Sequence, residues 1–288
     1  MSIRAARWLV VGLSVALTGA AAPAIVHTLP ELTSIPATML MSQPPAPRPQ
    51  PQPPRPPIDP TAVTAAVQQV EPSATVGVLV LDRETGAELL AIEPDRPFRS
   101  ASLVKLLIAI STLTNGADDR VRNQIQMMLR VSDDDIGSLL WDRAGGPGLV
   151  VRTGAELGLT AAAPPSPPGR WGNVPLTARD IGRIYQFVLT GMPLADRELI
   201  VNAMADAPRF ADDGFDQHFG IPSALPGPWA IKQGWSNSAT DIVVHTSGLV
   251  GPDWRYVVVV LTEHPLGVSW RTAAGSVTAG TQALSPLL

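Results

Sequence analysis

The chain has 288 residues, 45% hydrophobic and 16% charged, with a formal net charge of -4, and no window gathers Lys and Arg into a basic stripe. That composition suits a buried core and argues against nucleic acid as a partner. It has no cysteine, which excludes disulfides, thiolate metal sites, a cysteine nucleophile and a lipid-modified cysteine. The four histidines, His27, His218, His245 and His264, show no metal-ligand spacing, so neither a metal nor a cofactor is expected.

Arg4 and Arg7 precede an apolar run, and Ala22-Pro23-Ala24 offers small residues for cleavage before Ile25. Residues 1–26 therefore read as a signal peptide or, if uncut, a membrane anchor, since the 19 residues 8–26 are just long enough to span a bilayer. Residues 27–60 form a proline-rich linker; its second half, SQPPAPRPQPQPPRPPIDP, favours extended polyproline II geometry at ~3.1 Å per residue. Both segments place the remainder outside the cytoplasm: extracellular, in the cell wall, or at the outer face of the plasma membrane.

Residues 61–288 are long enough for one sizeable core. A short helix over 61–70 opens at Pro60. Residues 75–81 and 87–92 alternate around Asp82-Arg83-Glu84-Thr85-Gly86, the pattern of a β-hairpin. A long helical middle follows from 102 to about 207, interrupted at 145–148 and 164–169 by Gly and Pro. Strands return at 229–233, 241–250 and 255–262, and a last helix spans 268–284. The pattern implies an α+β fold: an antiparallel sheet joining the two ends of the chain, packed on helices, with a helical insertion beside it.

Against 19 arginines the chain has only two lysines, Lys105 and Lys232. Guanidinium stays protonated whereas an amine can lose its proton, so the two lysines mark candidate chemistry. Ser102-Leu103-Val104-Lys105 opens an apolar run. On a helix, residues three apart share a face, so Ser102 and Lys105 would be neighbours on a buried helix. Burial disfavours the ammonium, and a neutral amine could take the Ser102 proton. Ser132-Asp133-Asp134 starts the next helical stretch; it suits a helix cap, or a second hydroxyl, Ser132, across the cleft that passes a proton to a leaving group. In Ile231-Lys232-Gln233-Gly234-Trp235, Lys232 is expected as a fixed cation for a substrate carboxylate. Gly234 would admit the substrate backbone, and the Trp235 N–H would complete an oxyanion hole with that of Ser102.

In this order the three motifs resemble S-x-x-K, S-x-N and K-T-G of the penicillin-recognising serine enzymes, the class A β-lactamases and penicillin-binding proteins. The likeness extends to Phe98-Arg99-Ser100-Ala101, Trp141 and Gly145-Gly146-Pro147. S-D-D and K-Q-G-W, with Arg170-Trp171-Gly172 between them, look more like divergent exported serine hydrolases of actinobacteria. The resemblance implies a five-stranded antiparallel sheet with helices on both faces, a helical subdomain trimmed by the short spacing from Ser102 to Ser132, and a site between them. It implies Ser102, Lys105 and Ser132 as catalytic residues, and Asp134, Lys232, Gly234 and Trp235 as substrate-binding ones.

The chain departs from the pattern in three places. Residues 157–179 hold no Asp or Glu, where β-lactamases carry the glutamate that activates the deacylating water. Asp134 replaces an asparagine and could pair with Lys105 and keep it charged. Gln233 replaces a threonine. The leading expectation is a monomeric serine acyl-transfer hydrolase acting on cell-wall D-alanyl peptides or related amides and esters, binding β-lactams with slow deacylation. A class A-like β-lactamase and a catalytically silent homologue that binds wall peptide or a partner stay open.

Overall fold

In the computed structural model, residues 59–288 are described, so the expectations for a signal or anchor over 1–26 and for nearly all of the 27–60 linker lie outside the described residues. The first helix, α1 (Pro60–Val70), is capped by Asp59, whose carboxylate accepts from the Thr61 N–H at 2.9 Å. Pro60 occupies the first turn, where its missing N–H leaves no bond unmade. The hairpin forms as β1 (Thr75–Asp82) and β2 (Ala87–Ile92). A two-residue β3 (Phe98–Arg99) precedes a 3-10 turn, Ala101–Val104, that runs directly into α2 (Lys105–Thr114). The helical middle comprises α2, α3 (Asp119–Arg130), α4 (Asp134–Arg143), α5 (Pro147–Glu156), α6 (Ala178–Thr190) and α7 (Leu194–Ala205), with a two-residue β4 (Pro175–Leu176) just before α6. A single helical turn, α8 (Ile221–Ala224), leads to β5 (Trp229–Asn237), β6 (Asp241–Val250), β7 (Tyr256–Pro265) and α9 (Trp270–Gln282).

Five strands form one sheet in the order β2-β1-β7-β6-β5, every pair antiparallel. The β1–β7 pairing, with Val78 opposite Val260, stitches the two ends of the chain together. β7 is central and buried on both faces, which is why it reads as a nearly continuous apolar run rather than an alternation. Its residues still divide by parity. Val258 and Val260 join Val63, Val67, Ala273 and Val277 beneath α1 and α9, while Val257, Val259 and Leu261 join Leu103, Ile181, Ile184 and Tyr185 on the other face. The α+β sandwich and its helical subdomain are thus as the motifs implied.

α2 is buried all round: Lys105 through Ser111, and Leu113, are inaccessible or nearly so. A helix apolar on every side has no solvent face. Two local expectations need correction. The middle segment is not purely helical, because β4 lies within it and pairs with β3 just ahead of it, Phe98 with Leu176 and Arg99 with Pro175; two-residue strands are too short to show a period. β5 also runs four residues beyond the expected end at Gln233.

Candidate active site

Ser102 lies in the 3-10 turn Ala101–Val104, which runs directly into α2. The turn is entered through Ala101 at φ 46, a left-handed conformation that L-residues adopt only when their surroundings impose it. β5, at the edge of the sheet, supports the turn from one side. A Cβ added at Gly234 would sit 3.0 Å from the Ser100 carbonyl oxygen and 3.3 Å from Leu103 Cγ, so glycine there lets β5 approach the turn closely. Ser132 precedes α4 with φ 59, and the cap of that helix is Asp133, whose carboxylate accepts from the Ile136 N–H at 2.8 Å. The expected cap at Ser132 is therefore shifted by one residue, to Asp133, and the Ser132 hydroxyl is free of capping duty.

The two lysines and two serines form one buried chain. Lys105 Nζ is 3.2 Å from Ser102 Oγ and 3.2 Å from Ser132 Oγ, and Lys232 Nζ reaches the same Ser132 Oγ at 3.0 Å. Lys105 also donates to the Ser132 carbonyl at 2.6 Å and to Asp134 Oδ1 at 2.5 Å. Lys232 donates to the Gln233 carbonyl at 3.0 Å. Both lysines are buried, at 0% and 1% exposure, whereas the Asp134 side chain is 69% exposed to the cleft.

Electrostatics separates the pair. Desolvation pushes the Lys105 amine below its ordinary range, opposed by Asp134 and, at longer reach, by Asp133 and Asp213. The Lys232 amine is pushed well below its ordinary range, by burial first and then by the neighbouring Lys105. Among the described residues Lys105 has an ion-pair partner and Lys232 has none. The expectation of Lys232 as a standing cation meets a geometry that disfavours its charge.

These groups open into a cleft of about 250 Å³ bordered by Ser102, Asp134, Trp235 and the 169–173 segment. Lys105, Ser132, Lys232 and Gly234 do not border it directly. The indole of Trp171 lies 5.1 Å above Lys105 Nζ and donates through Nε1 to Ser138 Oγ at 3.2 Å. Opposite, Trp235 stacks on Phe215, with ring centres 4.6 Å apart, and its Nε1 donates to Asp213 at 2.9 Å. Trp171 and Asp213 acquire these places only through tertiary packing. For Asp213 the sequence carried a turn signal, Asp212-Asp213-Gly214, and nothing linking it to the lysines.

The remaining departures have structural counterparts. Gln233 turns away from the cleft, donating to the carbonyls of Gln217 at 2.9 Å and Phe219 at 2.8 Å. The first acid after the acid-free stretch, Asp180, is fully buried and engaged by the backbone N–H groups of Thr160 and Ala161 at 2.8 and 3.1 Å. It also completes a capping box with Thr177, so it organises the loop and has no path to water in the cleft. Among the described residues, no group of three His, Cys, Asp or Glu side chains could hold a metal ion.

The profile described as the Beta-lactamase enzyme family matches residues 61–166. LppW of Mycobacterium tuberculosis, which carries a lipoprotein name, is 33% identical over 239 residues, spanning 79% of this chain and 75% of LppW. Among solved structures, the fold is similar to that of a PBP-A point mutant in its acyl-enzyme complex with penicillin G, with TM-score 0.61 and 17% identity over 78% of this chain and 94% of that one. It is also similar to a class A beta-lactamase from Bacteroides cellulosilyticus, with TM-score 0.62 and 13% identity over 79% of this chain and 97% of that one. At such identities the structural likenesses establish the fold.

Proposed function

Because this chain belongs to the Beta-lactamase enzyme family, within the penicillin-recognising serine hydrolases, we propose that it is an exported serine acyl-transfer hydrolase with Ser102 as nucleophile. The observation that carries this reading is the unbroken hydrogen-bonded chain from Ser102 through Lys105 to Ser132, with only Ser102 at the cleft surface. Ser102 Oγ attacks the acyl carbon, and its proton enters the buried array. The backbone N–H groups of Ser102 and Trp235 hold the oxyanion. Ser132 delivers a proton to the departing amine or alkoxide, leaving the acyl group on Ser102.

Release of that acyl group is slow in this reading. No carboxylate in residues 157–179 can activate a water, and Asp180 is committed to the loop backbone. The acyl donors are cell-wall D-alanyl peptides or related amides and esters, with β-lactams as analogues that acylate and stay. Residues 61–288 carry the reaction in a monomer, and residues 1–60 export it and hold it away from the membrane. The lipoprotein name of LppW agrees with an envelope location. This chain has no cysteine, and the apolar run 8–26 is the segment that serves as anchor in this reading.

The test is labelling of the full chain and of Ser102→Ala with a fluorescent penicillin, beside hydrolysis of an activated ester. Label retained by the parent and absent from the variant supports the proposal. Rapid turnover of the penicillin supports a β-lactamase instead. No label and no ester cleavage above the Ser102→Ala background supports a binding homologue without catalysis.

A further inference from the structure

We propose that the proton taken from Ser102 is stored on Lys232, relayed through Lys105 and Ser132, while Asp134 keeps Lys105 an ammonium. The inference rests on the reading of Ser102 as nucleophile and goes beyond it in naming the acceptor.

Three observations carry it. First, the contacts are continuous: Ser102 Oγ to Lys105 Nζ 3.2 Å, Lys105 Nζ to Ser132 Oγ 3.2 Å, Ser132 Oγ to Lys232 Nζ 3.0 Å. Second, the partners differ in kind. Lys105 has a carboxylate oxygen at 2.5 Å and a carbonyl at 2.6 Å, a set that suits an ammonium. Lys232 has one carbonyl and one hydroxyl. A neutral amine fits that pair fully, donating to the Gln233 carbonyl and accepting the Ser132 hydroxyl proton on its lone pair. Third, the charged groups acting on Lys232 are Lys105, Asp134 and Asp213. Of these only Lys105 is itself buried, and it repels a second ammonium.

From the other elements packed around Lys232 come neutral groups. Ser247 on β6 donates to the Lys232 carbonyl at 2.8 Å and shares a 2.9 Å bond with the Tyr185 hydroxyl of α6. Burial pushes that phenol up, so it stays uncharged. The Trp235 ring lies at 6.0 Å from Nζ, the outer limit of a cation–π contact.

The step balances. Lys105 ammonium gives a proton to Ser132 Oγ as Ser132 gives its own to the neutral Lys232 amine, and Lys105 takes the Ser102 proton as Ser102 Oγ bonds to the acyl carbon. Lys105 ends as it began, an ammonium; Lys232 ends charged. When the bond to the leaving group breaks, Lys232 returns a proton through Ser132 to the leaving nitrogen or oxygen, and the array is reset. Only Lys232 changes its charge over the cycle, so it is the acceptor and Lys105 a conduit.

Having only two lysines makes the test direct. Full chain grown with lysine labelled at 13Cε gives two side-chain signals whose shifts report each amine's protonation as pH is varied. Lys105→Arg or Lys232→Arg, whichever folds, assigns both. The expected result is a Lys232 midpoint lower than that of Lys105, and an initial rate of Ser102 acylation that rises with pH through the Lys232 midpoint. Asp134→Asn should lower the Lys105 midpoint by about one to three units and narrow or reverse the gap. A Lys105 midpoint below that of Lys232 in the parent chain, or acylation that follows the Lys105 midpoint, overturns the inference and leaves Ser102 as the nucleophile. The expected order of midpoints with Ser102 never acylated by penicillin or ester overturns the proposed function, and the acceptor role of Lys232 with it.

Discussion

Asp134 stands where an amide would complete the resemblance, and its Oδ1 lies 2.5 Å from the Lys105 amine. That pairing was legible in the sequence, since S-x-x-K and the S-D-D triplet bring the two residues to one cleft. Replacing the carboxylate by an amide removes the main opposition to desolvation at Lys105. Asp134→Asn should therefore free Lys105 to act as a base and raise the rate of Ser102 acylation by penicillins about tenfold or more, measured as the pseudo-first-order rate of adduct formation at pH 7. The buried histidine of β6 was not legible as a structural switch. His245 Nε2 bonds the Arg99 carbonyl at 2.8 Å, and its Nδ1 accepts from the Thr262 N–H at 3.1 Å, a pattern that only the neutral ring satisfies. Burial lowers its pKa from 6.5 to about 4. The unfolded chain thus binds a proton as pH falls through 6.5 while the folded chain refuses it. Stability should fall between pH 6.5 and 4, by on the order of 3 kcal/mol from this group. Urea unfolding against pH should show the decline, and His245→Gln should flatten it.

At the scale of elements, the site depends on how closely α4 and β5 approach the turn that carries Ser102. Gly137 on α4 faces Lys105, and a Cβ there would lie 3.1 Å from Lys105 Cε. Alanine is a better helix former than glycine by roughly 1 kcal/mol, but the buried Lys105 must give way, so Gly137→Ala should lower the unfolding midpoint. It should also slow Ser102 acylation several-fold or more, because the amine is displaced from its partners. Gly234→Ala meets backbone instead, 3.0 Å from the Ser100 carbonyl oxygen, and should cost about 1–3 kcal/mol in the same urea assay. α2 was legible because an unbroken apolar run of helical length must be buried, and the hairpin because two short apolar runs flank the turn residues Asp82-Arg83-Glu84-Thr85-Gly86. β3 and β4 were not: their partners lie 78 and 76 residues apart in sequence, Phe98 with Leu176 and Arg99 with Pro175.

Across the whole molecule, the pairing of β1 with β7 makes the first and last parts of the folded chain a single sheet, and the helical middle closes over its edge to form the cleft. Strands at both ends with helices between them announced that closure in the sequence. The order of strands was not legible, because five apolar segments do not say which lies beside which. Helical spacing made Ser102 and Lys105 neighbours, and the resemblance carried by the motif order added Ser132 and Lys232, whereas the charge on each lysine was not readable, since it depends on burial and on partners from three separate elements. The measurement that tests the account most directly is the intact mass of the full chain and of Ser102→Ala, followed in time after mixing with penicillin G. The account predicts one adduct per chain, absent from the variant and persisting for many minutes after free penicillin is removed. An unmodified parent chain that nonetheless destroys penicillin, or an adduct that forms equally on Ser102→Ala, would contradict it.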